Sequence, residues 1–598
     1  MLTTMPRVSR YFDLKLDANG DPYMEVYLEG IALLRLVLTN KGTAFSYDER
    51  RALGLEGLLP PQVNTLEMQV ERAYGGFRAA QAPLDKYQYL RSLQERQEIL
   101  FYALLDRHLS EMLPIVYTPT VGEAVKQFSS LYQNPRGLSL SPLDVARAPE
   151  LLANYPFDDV KMIVATDSSA ILGIGDQGYG GLAIPIGKLA LYTVGGGVSP
   201  FHTMPVSLDV GTDRQDLLDD PFYLGVRQER LRGEKYFAFI DAFVAAVRAR
   251  WPNAVIQWED LSKETAFAVL ERYQDASFND DVQGTGAMAL AGMLSACTLR
   301  GERLRDQRIA VYGAGAGGIG VASMLTQGMM GDGLTREEAR DRIFVLDSKG
   351  LLLADRAMEA YKRPFAQPPE RVAEWSFAGV PDLLATVKHA RVTALLGLSG
   401  QPCSFHEATV RAMAESTERP VIFPLSNPTS ATEALPEDLL AWTDGRAIVA
   451  TGSPFPPVDC GGLTHGIAQG NNAFVFPGLG HGAILAGARR ITGAMVREAA
   501  YALADYTAER RVPQGWVYPA VEELQEVSIR VAARVMARAI TDGVASAAAP
   551  SSGDFEAHVR ANFWRPRYLP MVLGRTEAER PERVVGTGSM TGILRDGA

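Results

Sequence analysis

The sequence predicts an α/β protein with three parts. A mainly helical N-terminal part leads into an α/β domain of short buried strands, and a second α/β domain carries a doubly wound parallel sheet. Three observations predict it. Residues 62 to 112 interleave charged and apolar residues at helical spacing, as in "TLEMQVERAYGGFRAA" and "YQYLRSLQERQEILFYALLDRHLSEM". From about residue 160 the texture changes to short β-branched runs and glycine-rich turns: "KMIVATD", "AILGIG", "MPVSLDVG". From 308 to 453 strand and helix patterns alternate through "RIAVYG", "RIFVLD", "VTALLGLSG", "PVIFPLSNP" and "AIVATGS". Such alternation is the pattern of a parallel sheet covered by helices.

The segments between follow in order. A helix is expected over 233–250 ("GEKYFAFIDAFVAAVRAR"), then a strand in "AVIQWED", then a long apolar helix from 283 ("QGTGAMALAGMLSACTL"). After 481 the pattern is helical again, and "ASAAAPSSGD" (545–554) has the composition of a linker. No internal repeat is present.

Length and composition bound the function. At 598 residues several domains are expected. The net charge of −11 argues against nucleic acid or an anionic membrane as main partner, but not against a small anionic substrate at a locally basic site. Three scattered cysteines (Cys297, Cys403, Cys460) cannot make a disulfide framework, and seven single histidines argue against a histidine metal site. The N-terminus lacks an apolar signal core, and no run approaches the roughly 20 uninterrupted apolar residues of a membrane span. A cytoplasmic protein is expected.

Two stretches match G-x-G-x-x-G. In "RIAVYGAGAGGIGVASMLTQGM", Gly313, Gly315 and Gly318 lie between a strand and a helical pattern, and the next strand, "RIFVLD", ends in Asp347. That is the order of a Rossmann-like dinucleotide site: glycines let the backbone approach a pyrophosphate at a helix N-terminus, and the carboxylate bonds a ribose hydroxyl. The other match, Gly173-x-Gly175-x-x-Gly178 in "TDSSAILGIGDQGYGG", is followed by "LAIPIGKLALY", where Pro185 is expected to interrupt any early helix. No acidic strand end follows. Its glycines are read as permitting close backbone approach. Asp347 favours NAD, because a carboxylate repels the 2′-phosphate of NADP. Lys362 and Arg363 in "YKRPF" are read either as acceptors of that phosphate or as solvated surface charges.

Glu259 and Asp260 end a strand in "QWED", and Asp280 and Asp281 open a helix in "FNDDVQGTG". Such oxygen donors suit Mg²⁺ or Mn²⁺, while an ordinary N-cap or a solvated loop is the alternative. Lys188, in the apolar run "IPIGKLALY", is either a buried base with a pKa lowered by desolvation or a side chain that reaches the surface. Tyr117 follows a strand-like apolar run in "PIVYTPTVG" and by default is a core tyrosine. Asn427, Asn471 and Asn472 are turn residues by default.

In order, "NKGTAF", "LGLEGLLP", "YTPTVG", "LGIGDQG", "IPIGKLALYT", "LDVGT", "FNDDVQGT", "GAGAGGIG", "PLSNPTS", "ATGSPF" and "GNNAFVFPG" resemble the malic enzymes, from about residue 40 to "NFWRPRY" at 562–568. The resemblance implies divalent-metal-dependent oxidative decarboxylation of L-malate to pyruvate and CO2 with NAD, NADP being possible, by a homotetramer or homodimer. It implies Glu259, Asp260 and Asp281 as metal ligands, Lys188 as general base, Tyr117 as general acid and Asp280 as support for the lysine. Asn427, Asn471 and Asn472 are implied substrate contacts, Asn427 also touching the cofactor. The implied organisation is an oligomerisation domain (1–135), a substrate and metal domain (136–282, returning at 472–543), a cofactor domain (283–471) and a C-terminal extension (544–598).

Residue 170 departs from the pattern. Malic enzymes carry an arginine there that clamps a malate carboxylate, and this chain has Ala170. The related malolactic enzymes also lack it; they keep NAD bound and release L-lactate, and "WED", "QGTG", "YLGVRQERL" and "ERPVIFPLSNPT" are similar to theirs. "YTPTVG" and "GDQG" follow the malic enzymes. A homologue that binds malate or nucleotide without turnover is a third expectation, and it rests on Ala170 alone.

Overall fold

The computed structural model describes residues 7–171, 173–375 and 379–574. The end of the C-terminal extension, 575–598, lies outside the described residues, as does Leu172 within the first glycine-rich stretch.

The chain begins with an antiparallel hairpin, β1 (Phe12–Leu16) and β2 (Pro22–Val26). Helices Leu66–Ala79, Pro83–Gln94, Glu98–Arg107 and Leu109–Val116 follow, as the helical spacing predicts. The last of these replaces the strand-like run expected before Tyr117. "LPIV" is a run of four apolar residues, three of them buried, and periodicity cannot tell so short a run from a strand.

A five-stranded parallel sheet comes next: β3 (Leu138–Leu140), β4 (Met162–Thr166), β5 (Thr203–Leu208), β6 (Val255–Glu259) and β7 (Ser277–Asn279), in spatial order β3-β5-β4-β6-β7. Among the described residues of the run "AILGIG" there is a single bridge, Ile171 to Gly175. Both faces of the sheet are covered, as an all-parallel sheet requires. Met162 and Val164 of β4 enter the core shared with the N-terminal helices, while Ile163 and Ala165 enter a second core under helix Gly233–Arg250.

The second sheet holds β8 (Ile309–Tyr312), β9 (Ile343–Asp347), β10 (Gly350–Leu351), β11 (Ala394–Gly397), β12 (Val421–Pro424) and β13 (Ile448–Thr451). A small hairpin, β14 (Val458–Cys460) and β15 (Leu463–His465), precedes the sheet's last strand, β16 (Ala468–Gln469). The order is β10-β9-β8-β11-β12-β13-β16, parallel apart from β10. The chain reverses direction of growth between β8 and β11, where a doubly wound sheet opens its ligand crevice.

Helix Thr285–Arg300 continues from the turn at 280–284, and Asp280–Arg300 is long and apolar enough to cross a membrane by length and composition, although polar residues interrupt it. It is a core helix, packed against helices Ala316–Gly331 and Gly493–Arg510. Helices Phe476–Ala486 and Leu524–Thr541 complete this layer. Residues 545–554 join the last of them to helix Phe555–Ala561, after which β17 (Met571–Leu573) returns to pair in parallel with β2.

Candidate active site

Helix Ala183–Val194 is buried along its whole length and carries Lys188. Pro185 does not interrupt it. The proline lies in the first turn, where its missing N–H has no partner to lose. Gly187 lets this helix lie against the C-terminus of Leu109–Val116, since a methyl group there would come 2.7 Å from the Val116 carbonyl. That approach delivers Tyr117, which ends the latter helix, to Lys188. The ammonium sits 5.3 Å from the centroid of the Tyr117 ring and 4.4 Å from that of Phe476.

Lys188 does not reach the surface; it is 2% exposed. Its Nζ donates to Asp280 Oδ2 at 2.5 Å and lies 2.9 Å from Glu259 Oε1. Burial pulls its pKa down, as the sequence predicts, but the charges of Asp280 and Glu259 outweigh burial. The group is held well above the ordinary lysine value, so the expected lowering is reversed in this arrangement. Burial likewise pushes the Tyr117 phenol above its usual range, with Lys188 acting in the opposite sense.

Glu259 ends β6, Asp260 follows with φ +54°, and Asp281 stands in the π-helical turn Asp280–Gly284 that succeeds β7. Parallel neighbours deliver their C-terminal ends to the same edge, which is why residues some twenty positions apart meet. A carboxylate oxygen from each of Glu259, Asp260 and Asp281 lies within 4.8 Å of the others. Asp260 N donates to Asp281 Oδ2 at 2.8 Å. With Asp280, four carboxylates face one ammonium in a buried space. Burial first, then the neighbouring carboxylates, raise Glu259 well above its ordinary value against the pull of Lys188. Burial likewise raises Asp281, to about 6. Three mutually repelling oxygen donors with an excess of negative charge fit a hard divalent cation.

Asn472 is brought into this group: its Nδ2 donates to Asp280 Oδ2 at 3.2 Å and to Thr285 Oγ1 at 3.0 Å. Asn471 is not. Its Oδ1 accepts from the Ala473 backbone and caps the following turn, the default role for an asparagine there. Asn427 Oδ1 accepts from Ser453 Oγ at 2.6 Å at the ends of β12 and β13. The first glycine-rich stretch reaches this loop, since a methyl group on Gly173 would come 2.7 Å from the Asn427 carbonyl. Gly173 thus lets the loop after β4 approach the loop after β12 closely. The Ala170 N–H donates to the Asp260 carbonyl at 2.9 Å, and Ser169 Oγ accepts from Ser262 N at 2.7 Å, so residue 170 is tied beside the carboxylates. Asp176 of the same stretch accepts from Arg230 Nε (2.9 Å) and Nη2 (2.5 Å), and Arg230 Nη1 donates to the Asp167 carbonyl at 2.8 Å. That arginine is engaged in bracing the loop.

The turn at 313–318 has the geometry of a dinucleotide site. Gly313 has φ +121° and Gly315 caps helix Ala316–Gly331. A methyl group on Gly318 would lie 1.7 Å from the Gly313 carbonyl. The same helix rests on the acidic turn, where Gly320 faces the Val282 carbonyl. Asp347, at the end of β9, accepts two bonds from Arg356 Nη2 (2.8 and 2.9 Å) and lies 3.6 Å from Lys362 Nζ. Lys362 is therefore buried at the carboxylate, and Arg363 is the solvated one.

Sequence reasoning missed three supporting residues. Tyr192 OH donates to Gln257 Oε1 at 2.5 Å, and Gln257 Nε2 donates to Glu259 Oε2 at 2.7 Å, a buried chain that fixes Glu259. Glu433, fully buried, accepts from Ser399 N and Oγ at 2.8 and 2.9 Å and from Ser426 Oγ at 2.5 Å, tying together the loops after β11 and β12. The period-two position of Gln257, two before Glu259 on the same face of β6, was the available signal for the first of these.

Residues 94–274 match the family model "Malic enzyme, N-terminal domain", and residues 282–540 match "Malic enzyme, NAD binding domain". An NAD-dependent malic enzyme of Aeromonas hydrophila is 46% identical over 92% of this chain and 98% of its own length. One from Acinetobacter baylyi is 44% identical over 90% and 96%. The crystal structure of the Entamoeba histolytica malic enzyme, at 21% identity, has the same fold with a TM-score of 0.54, covering 85% of this chain and 90% of that one.

Proposed function

The chain belongs to the malic enzyme family, and from that premise we propose that it oxidises and decarboxylates L-malate to pyruvate and CO2, with NAD as hydride acceptor and a divalent cation as Lewis acid. The observation that carries the proposal is the contact of Lys188 with both Asp280 and Glu259, beside a three-carboxylate cluster and under the helix of the glycine turn.

Glu259, Asp260 and Asp281 would hold Mn²⁺ or Mg²⁺, which supplies polarisation of the oxygen on C2. Lys188 is the base for the C2 hydroxyl proton. A cation held by Glu259 would take up one of the two carboxylates that now raise the lysine, and its positive charge would favour the neutral amine that a base needs. Asp280, braced by Asn472, holds the lysine in line. Hydride leaves C2, the resulting β-keto acid loses CO2, and Tyr117 gives a proton to C3. A phenol held above its usual pKa keeps that proton until the carbanion forms. Asp347 favours NAD; its pairing with Arg356 and Lys362 softens the repulsion of a 2′-phosphate and leaves room for slower use of NADP. A cytoplasmic homotetramer or homodimer completes the reading.

Ala170 favours a second reading, conversion of L-malate to L-lactate with NAD retained. Incubating the protein with L-malate, Mn²⁺ and NAD or NADP separates the two. Growth of reduced nucleotide with stoichiometric pyruvate is the expected result, whereas lactate without net reduced nucleotide overturns it. Lys188→Met is expected to lower kcat by about 10²–10⁴-fold; an unchanged kcat would remove Lys188 as base.

A further inference from the structure

A cavity of about 400 Å3 opens where helix Ala316–Gly331 meets helix Gly493–Arg510 and the short helix Arg336–Arg340. Three guanidinium-bearing residues line it, Arg336, Arg340 and Arg497, together with Ser323, Thr326 and Gln327. Arg497 Nη1 donates to Gln327 Oε1 at 3.1 Å, which fixes that guanidinium against the wall. Among the described residues no carboxylate lines the cavity and none pairs with these three arginines.

Three of the acids nearby are engaged elsewhere, and Glu337, beside Arg336, is exposed and does not line the cavity. Glu338 closes a capping box on Thr335, Asp341 pairs with Arg371 at 2.6 Å, and Glu498 pairs with Arg534 at 2.8 Å. Neighbouring Arg303 has its own aspartate, Asp332. On a chain with a net charge of −11, three uncompensated arginines converging on one hollow form a local positive potential. Their planar forks match carboxylate or phosphoryl oxygens in pairs, and the Ser323 hydroxyl adds a donor, that of Thr326 being spent on the Ala322 carbonyl. The volume is that of a small-molecule site. Gln327 lies twelve positions along the helix from Gly315, about 18 Å at 1.5 Å per residue, so the hollow is distinct from the dinucleotide turn.

We propose that this cavity binds a small polyanion bearing at least two phosphoryl or carboxylate groups. The inference is independent of the reaction catalysed. Two probes separate the sources of such an anion: inorganic pyrophosphate for the phosphoryl class and tricarballylate for the carboxylate class. Each is titrated calorimetrically into the full chain, free of divalent metal and saturated with NAD to fill the dinucleotide turn. One saturable site per chain is expected for at least one probe, weakened tenfold or more in both Arg340→Gln and Arg497→Gln, with the melting temperature of Arg340→Gln unchanged. Whichever probe binds names the class. Absence of saturable binding by either probe, or binding that survives both substitutions, overturns the proposal.

Discussion

The backbone N–H of Ala170 is bonded to the carbonyl of Asp260, and Ser169 is bonded to Ser262, so the position is held beside the carboxylate cluster whatever side chain it carries. Arg230 cannot replace the missing arginine without giving up Asp176 and the Asp167 carbonyl. Ala170→Arg is therefore expected to lower the KM for L-malate by about ten- to a hundredfold, the worth of a bidentate ion pair of a few kcal/mol. An unchanged KM would show that another group already binds that carboxylate. Gln257 makes the complementary case. It holds Glu259 and is held by Tyr192, all three buried. Gln257→Leu is expected to weaken Mn²⁺ binding, read by calorimetry, about 10–100-fold while NAD binding is kept. Equal losses of both would mark a general packing defect. Gln257 escaped the sequence reading because its one signal, a position two before Glu259 on the same face of β6, carries weight only once Glu259 is placed in the site. The carboxylates were legible as two acidic pairs at element ends, although each pair alone reads equally as an N-cap or a solvated loop. Lys188 was half legible: its burial was foreseen as one of two outcomes, but the sign of its pKa shift depends on Glu259 and Asp280, 71 and 92 positions away.

At the scale of elements, strand-turn-helix order separated the two glycine patterns. A turn that holds a pyrophosphate needs a strand before it and a free helix N-terminus after it, and only 309–331 has both in immediate succession. Gly318→Ala places a methyl group 1.7 Å from the Gly313 carbonyl, so the turn must open. The expected result is a KM for NAD raised about tenfold or more, with overpacking of about 1–3 kcal/mol lowering the melting temperature. Unchanged NAD kinetics would place the pyrophosphate elsewhere. The misreadings were also local. Pro185 reads as a helix breaker until the helix is seen to begin two residues earlier, and "LPIV" reads as a strand until its helix is seen to begin at Leu109, with Leu113, Ile115 and Val116 in the core. Both errors concern the end of an element, where position in the first turn or depth in the core decides and the neighbouring residues do not.

At the scale of the whole molecule, the segment after residue 561 meets the N-terminal hairpin. After helix Phe555–Ala561 the backbone runs back across the protein: Trp564 N donates to the Gly197 carbonyl at 2.9 Å, and Phe563 packs edge-on to His481. Tyr568 OH donates to Gln69 Oε1 at 2.6 Å, Lys41 Nζ donates to the Leu569 carbonyl at 3.0 Å, and β17 completes a sheet with β1 and β2. Gly197 lies three residues beyond the helix that carries Lys188, so this return segment buttresses the catalytic helix from outside. None of this was legible in the sequence, where 545–598 reads as a linker and a short mixed end. A strand of three residues has no periodicity, and its partner is more than 500 positions away. The hydrophobic contribution is concentrated in Phe563 and Met571, both nearly buried, at about 1.5–3 kcal/mol each. A chain ending at residue 561 is expected to melt about 5 °C or more lower and to lose kcat more than it gains KM, because the lysine helix loses its outer support while the carboxylates on β6 and β7 keep theirs. A melting temperature and kcat equal to those of the full chain would reduce the return segment to a passive tail.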